Sequence, residues 1–206
     1  MLVTDRHRMR PNFTDALTMA LNAGARLIQL REKDLNPAEL LQLAKEAAAV
    51  CRDYGATLIV NGPPEIAIAA NADGTQWPEA LLHTDNFTAL RYPALIHGAS
   101  IHGPIGDTSE LDYLVFGSIY DTNTHPDATP AGIERLAAIA KSTDLPVYAI
   151  GGITSARVPA CLKAGAHGAA VIGAVWLSDD IESATQGLIE TLEATPLIPR
   201  PPSLIP

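Results

Sequence analysis

The stretch PVYAIGGITSARVPACLKAGAHGAAVIGA, residues 146–174, decides the fold. Pro146–Ile150 is an apolar run of strand length, and Gly151-Gly152 breaks it. Thr154 or Ser155 then supplies a helix cap, and Val158, Cys161 and Leu162 recur at helical spacing. A second apolar run, Gly168–Ile172, follows and ends at Gly173-Ala174. This is one strand–turn–helix–strand unit. Its strands are apolar on successive residues, as expected of parallel strands covered on both faces.

The same alternation runs outward through the chain. Six further apolar runs stand at Leu2–Thr4, Ala25–Leu30, Thr57–Val60, Ala72–Gln76, Ala94–Ser100 and Tyr113–Gly117. Between them, Asn36-Pro37-Ala38-Glu39 combines an N-cap, a proline at the first helical position and an acid three residues after the cap. Thr129-Pro130 opens a helix carrying Ile133, Leu136, Ala137 and Ala140, and Ser178-Asp179-Asp180 starts the last one. Strand–helix alternation implies a parallel α/β sheet, and eight units imply a closed (β/α)₈ barrel, a TIM barrel in one compact domain over residues 1–194. The length is small for that fold, so the helices after strands 4 and 5 must be short. An open doubly wound sheet would want a glycine-rich turn after its first strand, where Asp5-Arg6-His7 stand. Residues 195–206 hold five prolines and form a tail that wraps the surface or is disordered.

Composition narrows the class. The 206 residues are 47% hydrophobic and 18% charged, with 15 glycines and 16 prolines, which excludes low-complexity chains. Fourteen Lys and Arg against twenty-three Asp and Glu give a net charge of −9, so the global basic footprint of a nucleic-acid binder is absent. An anionic ligand must then be held by local groups. Two cysteines, Cys51 and Cys161, make no disulfide framework and read as buried reduced thiols. No apolar stretch of about 18 residues exists to cross a membrane, and the apolar N-terminus is too short for a signal peptide. A cytoplasmic protein is expected. Trp176 and the tail leave a homo-oligomer open, although a packed aromatic is the stronger reading of Trp176.

In a barrel, chemistry sits on the loops after the strands. After the seventh run, Gly151 and Gly152 allow close backbone approach, and Ile172-Gly173 makes a second small turn after the eighth. Glycine turns after the last two strands are ingredients of a phosphate site, though each alone is also an ordinary tight turn. After the second run, Gln29, Arg31 and Lys33 alternate and share one side of an extended segment, with Glu32 directed outward. Facing a barrel interior they need a ligand; otherwise they form a surface salt-bridge cluster. Asn61 ends the third run, and Ser100 and His102 end the fifth. The sixth run leads into a polar loop carrying Thr122, Thr124 and His125. The six histidines show no metal-ligand spacing, and His7, His83, His97 and His167 read as ordinary surface or core residues.

"LVTDR", "LIQLREKDL" (27–35), "LIVNGPPEIAIAANADG" (58–74), "GASIH" (98–102), "DYLVFGSIYDTNT" (112–124), "PVYAIGGIT" (146–154) and "AGAHGAAVI" (164–172) occur in an order that resembles the thiamine phosphate synthase family, which includes the thiazole tautomerases. The resemblance covers nearly the whole chain. It implies a (β/α)₈ barrel that joins hydroxymethylpyrimidine diphosphate to thiazole phosphate and releases diphosphate, with Mg²⁺ and cations stabilising the leaving group. Carried over, Gln29 would contact the pyrimidine. Arg31, Lys33, Asn61, Ser100, Thr122 and Thr124 would hold the diphosphate. Gly151-Gly152 and Ile172-Gly173 would hold the thiazole phosphate.

The chain also departs from the family. Asn61 is followed by Gly62 where a magnesium-binding Asp is expected. The segment that brings a second Asp reads Gly74-Thr75-Gln76-Trp77-Pro78-Glu79, with Glu79 the only substitute. His125 stands in place of a Lys. A bound Mg²⁺ is thus expected without its usual ligands. Ser118 stands where a tautomerase branch has its catalytic His, so His102 or His125 would have to move the proton. The expectations are a synthase-like transferase with an altered metal site, a tautomerase-like isomerase, or a silent barrel that binds small phosphorylated ligands.

Overall fold

The structure is a computed structural model that describes residues 1–82, 92–104, 106–122 and 129–196. Eight parallel strands follow one another in sequence order around the sheet: β1 (Leu2–Val3), β2 (Leu27–Leu30), β3 (Thr57–Val60), β4 (Gly74–Pro78), β5 (Ile96–Ile101), β6 (Tyr113–Gly117), β7 (Val147–Ile150) and β8 (Gly168–Ala170). Leu2 bridges Val171 in parallel, and the Val3 amide donates to the Val171 carbonyl at 2.9 Å, so β1 meets the end of β8 and the barrel closes. Each expected apolar run carries one strand.

Strand alternation divides the side chains into two cores. Ile28, Leu30, Leu58, Leu114, Phe116, Val147 and Ala149 point outward and pack under the helices. Val3, Leu27, Ile59, Tyr113, Val115, Tyr148 and Ala170 form a separate cluster inside the barrel. Gly98 on β5 makes room there. A Cβ at this position would lie 2.0 Å from Cζ of Tyr113, so the ring crosses the interior because residue 98 has no side chain. The Tyr113 hydroxyl donates to Oε1 of Gln76, and Gln76 Nε2 donates to Ser100 Oγ at 2.9 Å. Buried polar groups are thereby paired, and the chain of bonds runs from the core to the rim of β5.

The helices are α1 (Phe13–Asn22), α2 (Pro37–Asp53), α3 (Pro64–Ala70), α4 (Glu79–Leu82), α5 (Gly132–Lys141), α6 (Val158–Lys163), α7 (Gly173–Trp176) and α8 (Ile181–Ala194). The α2 start is a capping box: Asn36 accepts from the amides of Ala38 and Glu39, and the Glu39 side chain accepts from the Asn36 amide. Two boundaries differ from expectation. The fifth helix begins at Gly132, not Thr129-Pro130, because Gly132 takes a positive φ of 78° and turns the chain first. Thr154 makes no side-chain cap; a 3₁₀ turn, Ser155–Arg157, leads into α6. The last helix is capped by Asp180, which accepts from the Ser183 amide at 2.9 Å. After β4, α4 has four residues, and Gly103–Asp112 holds no helix among the described residues, which is how 206 residues accommodate eight strands. Trp176 is fully buried and donates its indole N–H to the Val3 carbonyl at 2.7 Å. Among the described residues no helix is long and apolar enough to cross a membrane. Of the tail, residues 197–206 lie outside the described residues.

Candidate functional site

The C-terminal ends of the strands surround a cavity of about 560 Å³. Twelve of the residues singled out in the sequence line it: Gln29, Arg31, Lys33, Asn61, Glu79, Ser100, His102, Thr122, Gly151, Gly152, Ile172 and Gly173. Thr124 and His125 lie outside the described residues.

One wall comes from β2 and its extension. Gln29, Arg31 and Lys33 all face the cavity, as period-two spacing demands. Gln29 is 3% exposed and sits on the floor beside Tyr113. Burial, first of all, holds the Arg31 guanidinium below its ordinary range, while Asp5 and Glu32 act against this. Lys33 is also depressed, and the first cause is the charge of Arg31. Two cations crowded together repel each other, and an anion placed between them relieves that repulsion.

Glu32 corrects the sequence reading. It points away from the cavity, yet it is buried rather than turned to solvent, at 5% exposure. Its carboxylate accepts from Thr4 Oγ1 at 2.6 Å, from the Arg6 amide at 3.2 Å and from Arg6 Nη1 at 3.1 Å. Thr4 Oγ1 in turn accepts the Arg31 amide at 3.0 Å. Glu32 therefore fixes the ends of β1 and β2 together and sets the backbone from which Arg31 projects.

The opposite wall is built from the loops after β6, β7 and β8. Gly151 and Gly152 have φ of 100° and 63°, a region that glycine enters without strain. The Ile119 amide donates to Ile150 O at 2.8 Å, and the Tyr120 amide donates to Gly151 O at 3.1 Å, so the β6 loop lies along the glycine turn. A Cβ on Gly152 would come within 2.4 Å of the Asp121 carbonyl. Arg8, Asp121, Thr154 and Arg157 also line the cavity. Sequence reasoning missed Arg8 and Arg157, and it named Asp121 and Thr154 only as parts of their loops. Arg8 and Arg157 lie in 3₁₀ turns, where a cation carries no periodic signature.

The third wall joins β4 to β5. Glu79 Oε2 accepts both the His102 amide at 3.1 Å and His102 Nδ1 at 2.8 Å. This bears on Mg²⁺. That ion prefers octahedral oxygen ligands with one or two carboxylates. The acids lining this cavity are Glu79, already engaged by His102, and Asp121 on the far wall. Among the described residues no group of three or more His, Cys, Asp or Glu could hold a metal ion. Among the described residues, then, no carboxylate set fits a protein-held Mg²⁺. The remaining histidines have other roles. His97 is buried, accepting from Trp77 Nε1 at 3.0 Å while its Nε2 meets the Tyr92 carbonyl at 3.0 Å. His7 meets Asp34 at the surface, His167 packs edge-on against Tyr148, and His83 lies outside the described residues.

Comparison with known proteins agrees with this geometry. A family model described as "Thiamine monophosphate synthase" matches residues 1–175. A "Thiamine-phosphate synthase" of Pyrococcus horikoshii is 35% identical over 196 residues, covering 93% of each chain. One from Caldivirga maquilingensis is 36% identical over 182 residues, covering 86% of this chain and 88% of its own. The solved structure of a thiamine phosphate pyrophosphorylase from Pyrococcus furiosus superposes with a TM-score of 0.79 at 32% identity, covering 93% and 94% of the two chains. The chain belongs to the thiamine monophosphate synthase family.

Proposed function

We propose that this barrel is a thiamine-phosphate synthase, a transferase that joins hydroxymethylpyrimidine diphosphate to thiazole phosphate. The observation that carries the reading is a single cavity with two anion-seeking ends. The crowded cations Arg31 and Lys33 stand on one wall, and the glycine turns at Gly151-Gly152 and Ile172-Gly173 stand on the other. A reaction between a diphosphate and a monophosphate needs both.

In the proposed arrangement Gln29 orients the pyrimidine from the floor. Arg31, Lys33, Asn61, Ser100 and Thr122 surround the diphosphate. The C–O bond to diphosphate breaks, and the diphosphate leaves with the electron pair. The thiazole nitrogen supplies its lone pair to the exposed carbon, which closes the new C–N bond. Arg31 and Lys33 stabilise the charge that develops on the leaving group, and their mutual repulsion makes that stabilisation larger. Ser100 is held by Gln76 and hence by Tyr113, so a substrate hydroxyl or phosphate oxygen meets a pre-set partner. Thr124 and His125, on the residues beyond Thr122, belong to the same proposal. The two buried free cysteines support a reducing, cytoplasmic setting.

The test supplies both substrates with Mg²⁺ and follows thiamine phosphate and diphosphate. Stoichiometric release of both supports the reading; folded protein giving no product above background overturns it. The Glu79–His102 pair favours a second reading, proton transfer on the thiazole phosphate. Solvent deuterium entering that substrate without thiamine phosphate formation would select it.

A further inference from the structure

Arg157 lines the cavity beside the Gly151-Gly152 turn, and nothing so far gives it a role. Its position is fixed twice. Nη1 donates to the Gly152 carbonyl at 2.6 Å, and its Cζ stands 4.5 Å from the centre of the Tyr120 ring. Such stacking orients the plane of the guanidinium and leaves most of its donors unspent. No carboxylate among the described residues lies within ion-pair distance of it, whereas Arg6, Arg8 and Arg10 are each paired with an acid. Arg157 is thus a pre-oriented cation, exposed to the cavity and without a counter-charge among the described residues, beside the turn where a phosphate would arrive.

We infer that Arg157 is the specificity-determining residue for the monophosphate end of the cavity, taking up a dianionic phosphomonoester and discriminating against the uncharged alcohol. The inference rests on the transferase reading for the identity of that ester. Arg31 and Lys33 hold one anion and Arg157 the other, so the charge pattern assigns each substrate to its own wall. Arginine suits the task because its planar fork meets two phosphate oxygens at once, and lysine does not reproduce that geometry.

The test is calorimetric titration of the full chain with three probes: thiazole phosphate, the corresponding thiazole alcohol and the pyrimidine diphosphate. Arg157→Ala should weaken thiazole phosphate by about tenfold or more, the size of a lost charge-assisted contact. It should leave the alcohol and the pyrimidine diphosphate within about twofold of the wild type. Arg157→Lys should recover part of the loss for the phosphate only. If Arg157→Ala weakens alcohol and phosphate equally, Arg157 serves only to hold Gly152, and the inference falls. An unchanged phosphate affinity also overturns it. If wild-type protein binds the ester through Arg157 yet forms no thiamine phosphate, the transferase reading fails while the assignment of Arg157 stands.

Discussion

A single oxygen of Glu79 holds both the backbone amide and the Nδ1 of His102, joining the start of α4 to the end of β5 at 3.1 and 2.8 Å. The pair sits on the rim, with 73% of the His102 side chain exposed. Exposed side-chain contacts contribute little to stability, so Glu79→Ala should change the unfolding free energy by less than about 1 kcal/mol. The effect should appear in turnover instead. Because the two residues act as a unit, Glu79→Ala, His102→Ala and the double variant should lower kcat to a similar level, a non-additivity of about 0.5 kcal/mol or more. Independent, additive losses in the cycle would show that the contact does not position His102 for function.

The crowding of Arg31 and Lys33 predicts a pH dependence. The charge of Arg31 lowers Lys33 in the free protein, and bound diphosphate raises it again. Diphosphate affinity is therefore full below the free-protein value and is lost as pH rises through it, earlier than for an ordinary lysine. Arg31→Met should shift this decline to higher pH in a titration series and lower turnover by about tenfold or more. Removing a partly buried cation should also raise stability by about 0.5–1 kcal/mol in urea unfolding, a cost the site imposes on the fold.

Glu32 predicts the opposite balance. Glu32→Ala leaves the Thr4 hydroxyl without its buried acceptor and the Arg6 guanidinium with Asp34 alone. The loss should be about 2 kcal/mol, read from the denaturant midpoint. Diphosphate binding should weaken as well, because the Arg31 amide loses its fixed partner on Thr4. A midpoint within error of the wild type would contradict this account.

Gly98→Ala should be among the most damaging single methyl additions to the chain. The new carbon would overlap Tyr113 in the barrel interior, and overpacking of this kind costs about 3 kcal/mol. Pairing it with Tyr113→Leu should restore part of the loss. If the double variant is no more stable than Gly98→Ala alone, the clash is not with Tyr113.

Both thiols should be silent in the native protein. Burial pushes Cys51 up to about 12 and raises Cys161 as well. A disulfide reagent such as dithionitrobenzoate at pH 8 should titrate no thiol before unfolding and two per chain in guanidinium.

The barrel was legible because each strand carried its own apolar run and eight such runs leave few alternatives. The β2 wall was legible for the same reason: period two puts Gln29, Arg31 and Lys33 on one side. The same rule misled at Glu32, since pointing away from a barrel's axis does not mean pointing to water when a neighbouring strand end supplies donors. The first-helix residues Phe13–Asn22 and the short helix Pro64–Ala70 drew no expectation. Asn12 caps the first by accepting the Asp15 amide, and the second starts at proline without a side-chain cap. Arg157 was not legible at all. Its place depends on Tyr120 and Gly152, which are far from it along the chain or held by a turn, and no spacing encodes such a meeting.

The hydrogen bond from Val3 to Val171 spans 168 residues and has a bearing on how the molecule is made. Contacts that distant form late, because a loop of that length must be closed before they are rewarded. Until Val171 is in place, β1 and the last completed strand both remain open edges, able to pair with another chain. A product released before β8 is made would be prone to aggregate rather than merely inactive. The ring thus ties the protection of both edges to the making of one short strand, and until β8 emerges the sheet stays adhesive.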